Sequence, residues 1–174
     1  TEVVLKVLPK KKSSNTITIH TEDNKLVNEL FEKISSSSSE ISGAAYIPDE
    51  PDDESYKHNK EMIFKFNDLK FKGSFLALRI EGDKISIDEK IKVLTKELNF
   101  NNLNTSILDV HQSVPFWEKI NNLELFSETK NNLLRAVIPP SKGNELMQQL
   151  GNKYKYYIDW CGSLYWIEVG SKKN

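Results

Sequence analysis

Only two of the chain's 24 basic residues are arginines, Arg79 and Arg135; the rest are lysines. A guanidinium fork grips a carboxylate at two points, whereas a lysine offers one point charge. Arg135 lies in an apolar run, Leu133 to Ile138, which places it on a strand. Two roles are open to it: holding the carboxylate of a small acid, or making a structural salt bridge or interface contact. Arg79 shares a strand face with Glu81, which favours a cross-strand charge pair. Trp160 and Trp166 fall within an aromatic C-terminal stretch that also holds Tyr154, Tyr156, Tyr157 and Tyr165. At alternating positions such rings fill a sheet core or form an apolar docking face. Trp117 reads as a helix anchor.

Other chemistries find little support. His20, His58 and His111 have no ligand spacing, so no metal centre is expected. Asp109 and His111 stand close in sequence, and a surface position suits them better than a catalytic pair. Cys161 sits in a turn without a cationic neighbour and reads as an incidental thiol. The acidic stretch from Asp49 to Glu54 lacks the Asp-x-Asp-x-Asp-Gly pattern of a calcium loop. With seven glycines and no glycine-rich strand–turn–helix, the chain has no local phosphate cradle. The 24 basic and 25 acidic residues give no broad field for nucleic acid. No apolar run approaches the roughly 20 residues of a membrane helix. A single cysteine suits a reducing compartment, so a soluble cytoplasmic domain is expected.

The elements that must carry these residues can be read from periodicity. Glu2–Leu8 alternates as a strand, ending at Pro9. Thr16–His20 is a second strand. Thr21 can cap a helix whose Leu26, Val27, Leu30, Phe31 and Ile34 fall at helical spacing. Ile41–Ile47 returns as a strand, and residues 48–60 read as a loop. Met62–Phe66 and Phe75–Glu81 are further strands. Ser86 and Glu89 have capping-box spacing before a stripe of Ile87, Ile91, Leu94 and Leu98. Ser113, with Pro115 in the first turn, opens a short helix around Phe116–Asn122. Leu133–Ile138 is a strand stopped by two prolines, and Ser141 caps a short helix with Leu146, Met147 and Leu150. Tyr154–Trp160 and Leu164–Val169 pair as a hairpin across Cys161 and Gly162. Together these predict one α+β domain over residues 1–174: an antiparallel sheet with helices on one face, in a ferredoxin-like split βαβ arrangement. The alternation of Tyr154, Tyr156, Ile158 and Trp160 predicts an apolar, aromatic opposite face that covers a neighbouring domain.

Six stretches carry a resemblance in this order: TEVVLKVLPK at the start, SGAAYIP (Ser42 to Pro48), LALRIEG (Leu76 to Gly82), PFWEKI (Pro115 to Ile120), LLRAVIPP (Leu133 to Pro140) and YIDWCGSLYWI (Tyr157 to Ile167). Together they resemble the cap-like C-terminal region of the FAD-binding subunit of bacterial glycolate oxidases, FAD-linked oxidases of the vanillyl-alcohol-oxidase type. Leu134 stands where that family prefers tryptophan, and Cys161 where it has the first hairpin glycine. Asn121 and Asn122 replace a common arginine–acid pair. The resemblance implies a substrate-side cap of a flavin-dependent 2-hydroxy-acid (glycolate) oxidase or dehydrogenase. It implies Arg135 as the substrate-binding residue. FAD would be held mainly by an upstream flavin-binding domain that this sequence lacks, and the isolated chain is expected to be inactive and to carry no cofactor. Implied partners are that flavin domain, a second flavoprotein subunit, an iron–sulfur subunit and a small 2-hydroxy acid; nucleic acid is not among them. Implied location is the cytoplasm, at the inner face of a membrane through the complex. The competing reading is a stand-alone ferredoxin-like binding or regulatory module without catalysis.

Overall fold

A computed structural model describes residues 2–4, 11, 13–37, 39–49, 65–66, 69–70, 73–99 and 103–170. The chain runs β1 (Ser13–His20), α1 (Asn24–Ser36), β2 (Ile41–Ile47), β3 (Lys65–Phe66), β4 (Leu69–Lys70), β5 (Phe75–Gly82), α2 (Lys84–Glu97), β6 (Asn104–Leu108), α3 (Val110–Asn121), β7 (Asn132–Val137), α4 (Gly143–Leu150), β8 (Tyr156–Asp159) and β9 (Leu164–Val169). Seven strands form one antiparallel sheet ordered β6-β1-β5-β2-β8-β9-β7. β3 and β4 pair separately. The fold is α+β, as the periodicity predicts. β1 and β2, joined by α1, are parted in the sheet by β5, which runs antiparallel to both.

Pleat alternation sorts the side chains into two layers. Ile17 and Ile19 of β1 face the same way as Leu76, Leu78 and Ile80 of β5 and Ile158 of β8. Against them lie Val27, Leu30, Phe31 and Ile34 of α1, Ile87 and Leu94 of α2, and Met147 and Leu150 of α4. The other face carries Ala45 and Ile47 of β2, Phe75 and Ala77 of β5, and Tyr157 of β8. Phe116, Trp117 and Ile120 of α3 pack there. The helices therefore occupy both faces, not one. The reason is visible in β1: Ser14, Thr16 and Thr18 are buried on that second face, and buried hydroxyls need partners. α3 supplies them for the first two. Ser113 Oγ lies 2.9 Å from Ser14 Oγ and 2.7 Å from Thr16 Oγ1, and the Trp117 indole N–H donates to Thr16 Oγ1 at 2.9 Å.

Caps differ from expectation in a regular way. Aspartates do the work: Asp23 accepts from the Lys25 and Leu26 amides, and Asp83 accepts from the Ser86 amide. Asp109 forms a capping box with Gln112. Thr21, Ser86 and Ser113 do not cap. Ser86 and Ser113 fall inside their helices, and Pro115 is interior to α3. α4 begins at Gly143 after a 3-10 turn, with no side-chain cap at its N-terminus. β6 is a strand that the periodicity does not reveal. Residues 2–4 form no strand, and the rest of the expected first strand, like most of the 48–60 loop and residues 62–64, lies outside the described residues.

Candidate functional site

On the face covered by α3, the helix leaves one end of the sheet open. There β2, β5, β8 and the C-terminal end of α3 surround a recess of about 230 Å3, lined by Ser42, Gly43, Arg79, Trp117, Asp159 and Trp160 among others. Arg79 points into this layer because it continues the Phe75–Ala77 alternation. Its Nε donates to Ser42 Oγ at 3.0 Å and its Nη2 donates to the Ser42 carbonyl at 2.8 Å. The guanidinium lies 5.0 Å from the Trp117 ring centroid. Two of its five N–H groups are thus committed to Ser42, which leaves three for other acceptors. No ion pair with Glu81 forms, so the expected cross-strand charge pair is replaced by a backbone clamp and a ring stack.

β2 makes room for that stack. Its register slips between Ile41 and Gly43. A Cβ on Gly43 would come within 3.2 Å of Trp117 Cη2 and 3.3 Å of Arg79 Nε. A glycine there lets ring and guanidinium lie close against the strand.

The other wall comes from the β8–β9 connection. Asp159 accepts the Trp160 amide at 2.7 Å. Burial raises the Asp159 carboxyl above the ordinary carboxylate range, while the Trp160 amide and Arg79 pull the other way. The next three residues, Trp160, Cys161 and Gly162, all have left-handed φ, at 51°, 52° and 89°. For the two non-glycine residues this costs on the order of 1–3 kcal/mol each. The turn persists because the Ser163 amide closes onto the Trp160 carbonyl at 3.2 Å and Gly162 packs tightly on Phe31. The result of the strain is a tryptophan held 58% exposed at the edge of the recess.

Arg135 of β7 stands opposite Trp166 of β9. Its guanidinium lies 5.2 Å from the Trp160 ring centroid and 5.9 Å from that of Trp166. It is exposed, and among the described residues it makes no ion pair. Both arginines and all three tryptophans of the chain therefore meet in one region of one sheet face, with Trp160 common to the recess and to Arg135. Periodicity alone points elsewhere. Tyr156 and Ile158 lie in the core under α1 and α4, and Tyr154 precedes the strand. Tyr157 and Trp166 take the α3 side, where Tyr157 is buried and donates to the Ile120 carbonyl at 3.0 Å. The alternation of Tyr154, Tyr156, Ile158 and Trp160 therefore marks no docking face: Tyr156 and Ile158 are buried beneath this chain's own helices, and the opposite face is partly covered by α3.

The remaining candidates stay quiet. His111 donates its backbone amide to Asp109 at the start of α3, so that pair is a helix cap. Burial raises the Cys161 thiol, which keeps it protonated and poorly nucleophilic. Among the described residues no group of His, Cys, Asp and Glu could hold a metal ion, and no helix is long and apolar enough to cross a membrane. Sequence reasoning misses Asp159, Ser42 and Gly43 because their role depends on a strained turn and a register slip. The Asp-Trp-Cys-Gly run and the Ser-Gly dipeptide are the available hints.

The fold and site define an α+β protein whose antiparallel sheet presents an arginine–tryptophan surface beside a small recess. No family model matches the chain, and no curated protein matches it.

Proposed function

We propose that the chain is the substrate-side cap of a flavin-dependent 2-hydroxy-acid oxidase or dehydrogenase, of the glycolate oxidase type, acting in the cytoplasm with flavoprotein and iron–sulfur partners. The observation that carries this reading is the open end of the α3 face, where Arg135 and Trp160 are exposed together next to the recess. A cap needs such a surface: rings to exclude water and a cation to hold an acid. The order β6-β1-β5-β2, with β5 splitting the β1–α1–β2 unit, supports a ferredoxin-like reading of residues 13–108.

The residues present suit one part of FAD and not another. The N-termini of α1, α2 and α3 are filled by Asp23, Asp83 and Asp109, whose carboxylates take the amides that a pyrophosphate would need; α4, which opens from a 3-10 turn, has no side-chain cap. In this reading the phosphates are held by another domain. The exposed Trp160 and Arg135 suit the ring end, where an indole covers a planar edge and a guanidinium meets an anion. When bound, the flavin supplies the hydride acceptor. The chain itself contributes shape, dryness and a positive partner for the carboxylate.

The test is Arg135→Lys in the complete enzyme. Lysine keeps the charge and loses the fork, so positioning suffers. Glycolate-dependent flavin reduction is expected to weaken by about 1–3 kcal/mol in kcat/KM, with the melting temperature unchanged. Normal turnover with a markedly lower melting temperature would assign Arg135 to the fold instead.

A further inference from the structure

We propose that β7 is a self-association edge: two copies of this chain pair antiparallel through β7 about a two-fold axis at Leu134, joining their sheets into one. The inference is independent of the functional reading above, because it uses the rim of the sheet and not its face.

β7 ends the sheet order, so among the described strands it is bonded on one side only, to β9. Just past the strand, Ile138 donates its amide to the Ser163 carbonyl at 2.9 Å, continuing the β7–β9 register. Backbone groups alternate in direction along an antiparallel strand, so the even-numbered residues of β7 face β9. The N–H and C=O groups of Leu133, Arg135 and Val137 therefore point outward. Proteins commonly blunt such an edge with proline, a bulge or a row of charges. Asn132–Val137 contains no proline, pairs with β9 without a register shift and carries a single charge, Arg135. Leu134 and Val137 are 49% and 58% exposed, so apolar side chains as well as backbone groups are left open. β6, at the other end of the sheet, differs: it opens with the polar Asn104, Thr105 and Ser106.

The fit of β7 to itself favours a second copy over a foreign strand. A two-fold axis normal to the sheet keeps each face on its own side, so only residues of like parity stand opposite. Two registers centred on the strand satisfy this. With Arg135 on the axis, like charges stand directly opposite, which is unfavourable. With Leu134 on the axis, the two leucines meet as a non-hydrogen-bonded pair. Each Leu133 then exchanges two backbone bonds with the partner's Arg135, whose apolar stem lies along the leucine. The exposed charges beyond the strand agree. Antiparallel pairing carries the end with Glu128 and Lys130 towards the end with Lys142 and Glu145, so neither end meets a uniform like charge.

The test is sedimentation velocity of the 174-residue chain over a range of concentrations. A reversible monomer–dimer equilibrium is expected, with a dissociation constant on the order of tens of micromolar, as suits an interface at the small end of the size range. Leu133→Pro removes an outward amide and leaves the β7–β9 bonds intact. It is expected to weaken the dimer about tenfold or more, while the monomer keeps its melting temperature. If that variant fails to fold, Leu134→Cys in a Cys161→Ser background serves. Opposite residues of a non-hydrogen-bonded pair have Cα atoms about 4.5 Å apart, within disulfide reach. Mild oxidation is expected to link this variant into dimers and to leave Val137→Cys in the same background unlinked. A chain that stays monomeric up to about millimolar concentration overturns the proposal. So does a dimer that tolerates Leu133→Pro and fails to link in the Leu134→Cys variant. Growth into long polymers also overturns it, because β7 would then be pairing with β6 in open succession.

Discussion

Asp159 shows how one residue can serve the site and tax the fold. Its carboxyl is raised by burial, so the native chain binds that proton more tightly than the unfolded chain does. The associated stability is present in full below the unfolded carboxylate value and is lost as pH rises through the raised native value. Asp159→Asn keeps an oxygen for the Trp160 amide and cannot ionise. Melting curves of the two proteins are expected to coincide near the acid end of the carboxylate titration, at about pH 3, and to separate in favour of asparagine at pH 7. A gap independent of pH would mean that the charge on Asp159 is not the cause. Gly162 is the companion case. Its φ of 89° and the 3.0 Å approach of a would-be Cβ to Phe31 Cδ2 both oppose a side chain. Gly162→Ala is expected to lower stability by about 1–3 kcal/mol in denaturant unfolding.

At the scale of elements, α3 decides what the sheet exposes. It is legible as a helix from Phe116 and Trp117, yet it begins several residues before the start that Ser113 and Pro115 suggest. Those two look like an N-terminus, and proline in a helix interior removes a backbone bond. The capping box of Asp109 and Gln112 starts the helix at Val110, and burial of Phe116, Trp117 and Ile120 against the sheet holds it despite that loss. Asp109→Ala is expected to cost about 1 kcal/mol, seen as a lower urea midpoint with unchanged slope. The strands β2, β5, β7 and β9 are legible because β-branched and aromatic residues alternate or run between turn residues. β6 is not: its Asn-Thr-Ser start has no apolar face, and only Leu108 of the strand is buried. Arg135 is legible as an arginine in an apolar strand. The grouping of Arg79, Asp159 and Trp160 is not, since it arises from β2, β5 and β8 becoming neighbours in the sheet, which no local pattern encodes.

At the scale of the whole molecule, one sheet separates two cores. Ile87 belongs to the layer under α1, α2 and α4, and Ile120 to the layer under α3. Both are buried, at 1% and 2% exposure, so each loses a packed methyl in an Ile→Val change. Ile87→Val and Ile120→Val are each expected to cost about 0.5–1.5 kcal/mol. The two residues sit in separate clusters on opposite sides of the sheet, so the double variant should equal the sum of the singles within about 0.5 kcal/mol. Cooperativity is a different matter from additivity. Both layers rest on β1, β2, β5 and β8, so losing either strips one face from the same strands. A single transition is therefore expected, with circular dichroism and tryptophan fluorescence melting together. The fluorescence probe is well placed, because Trp117 reports the α3 layer while helical signal comes mostly from α1, α2 and α4. If fluorescence unfolds first and helical signal persists, α3 is a separately hinged cover. The recess that Trp117 lines would then open before the rest of the fold is lost.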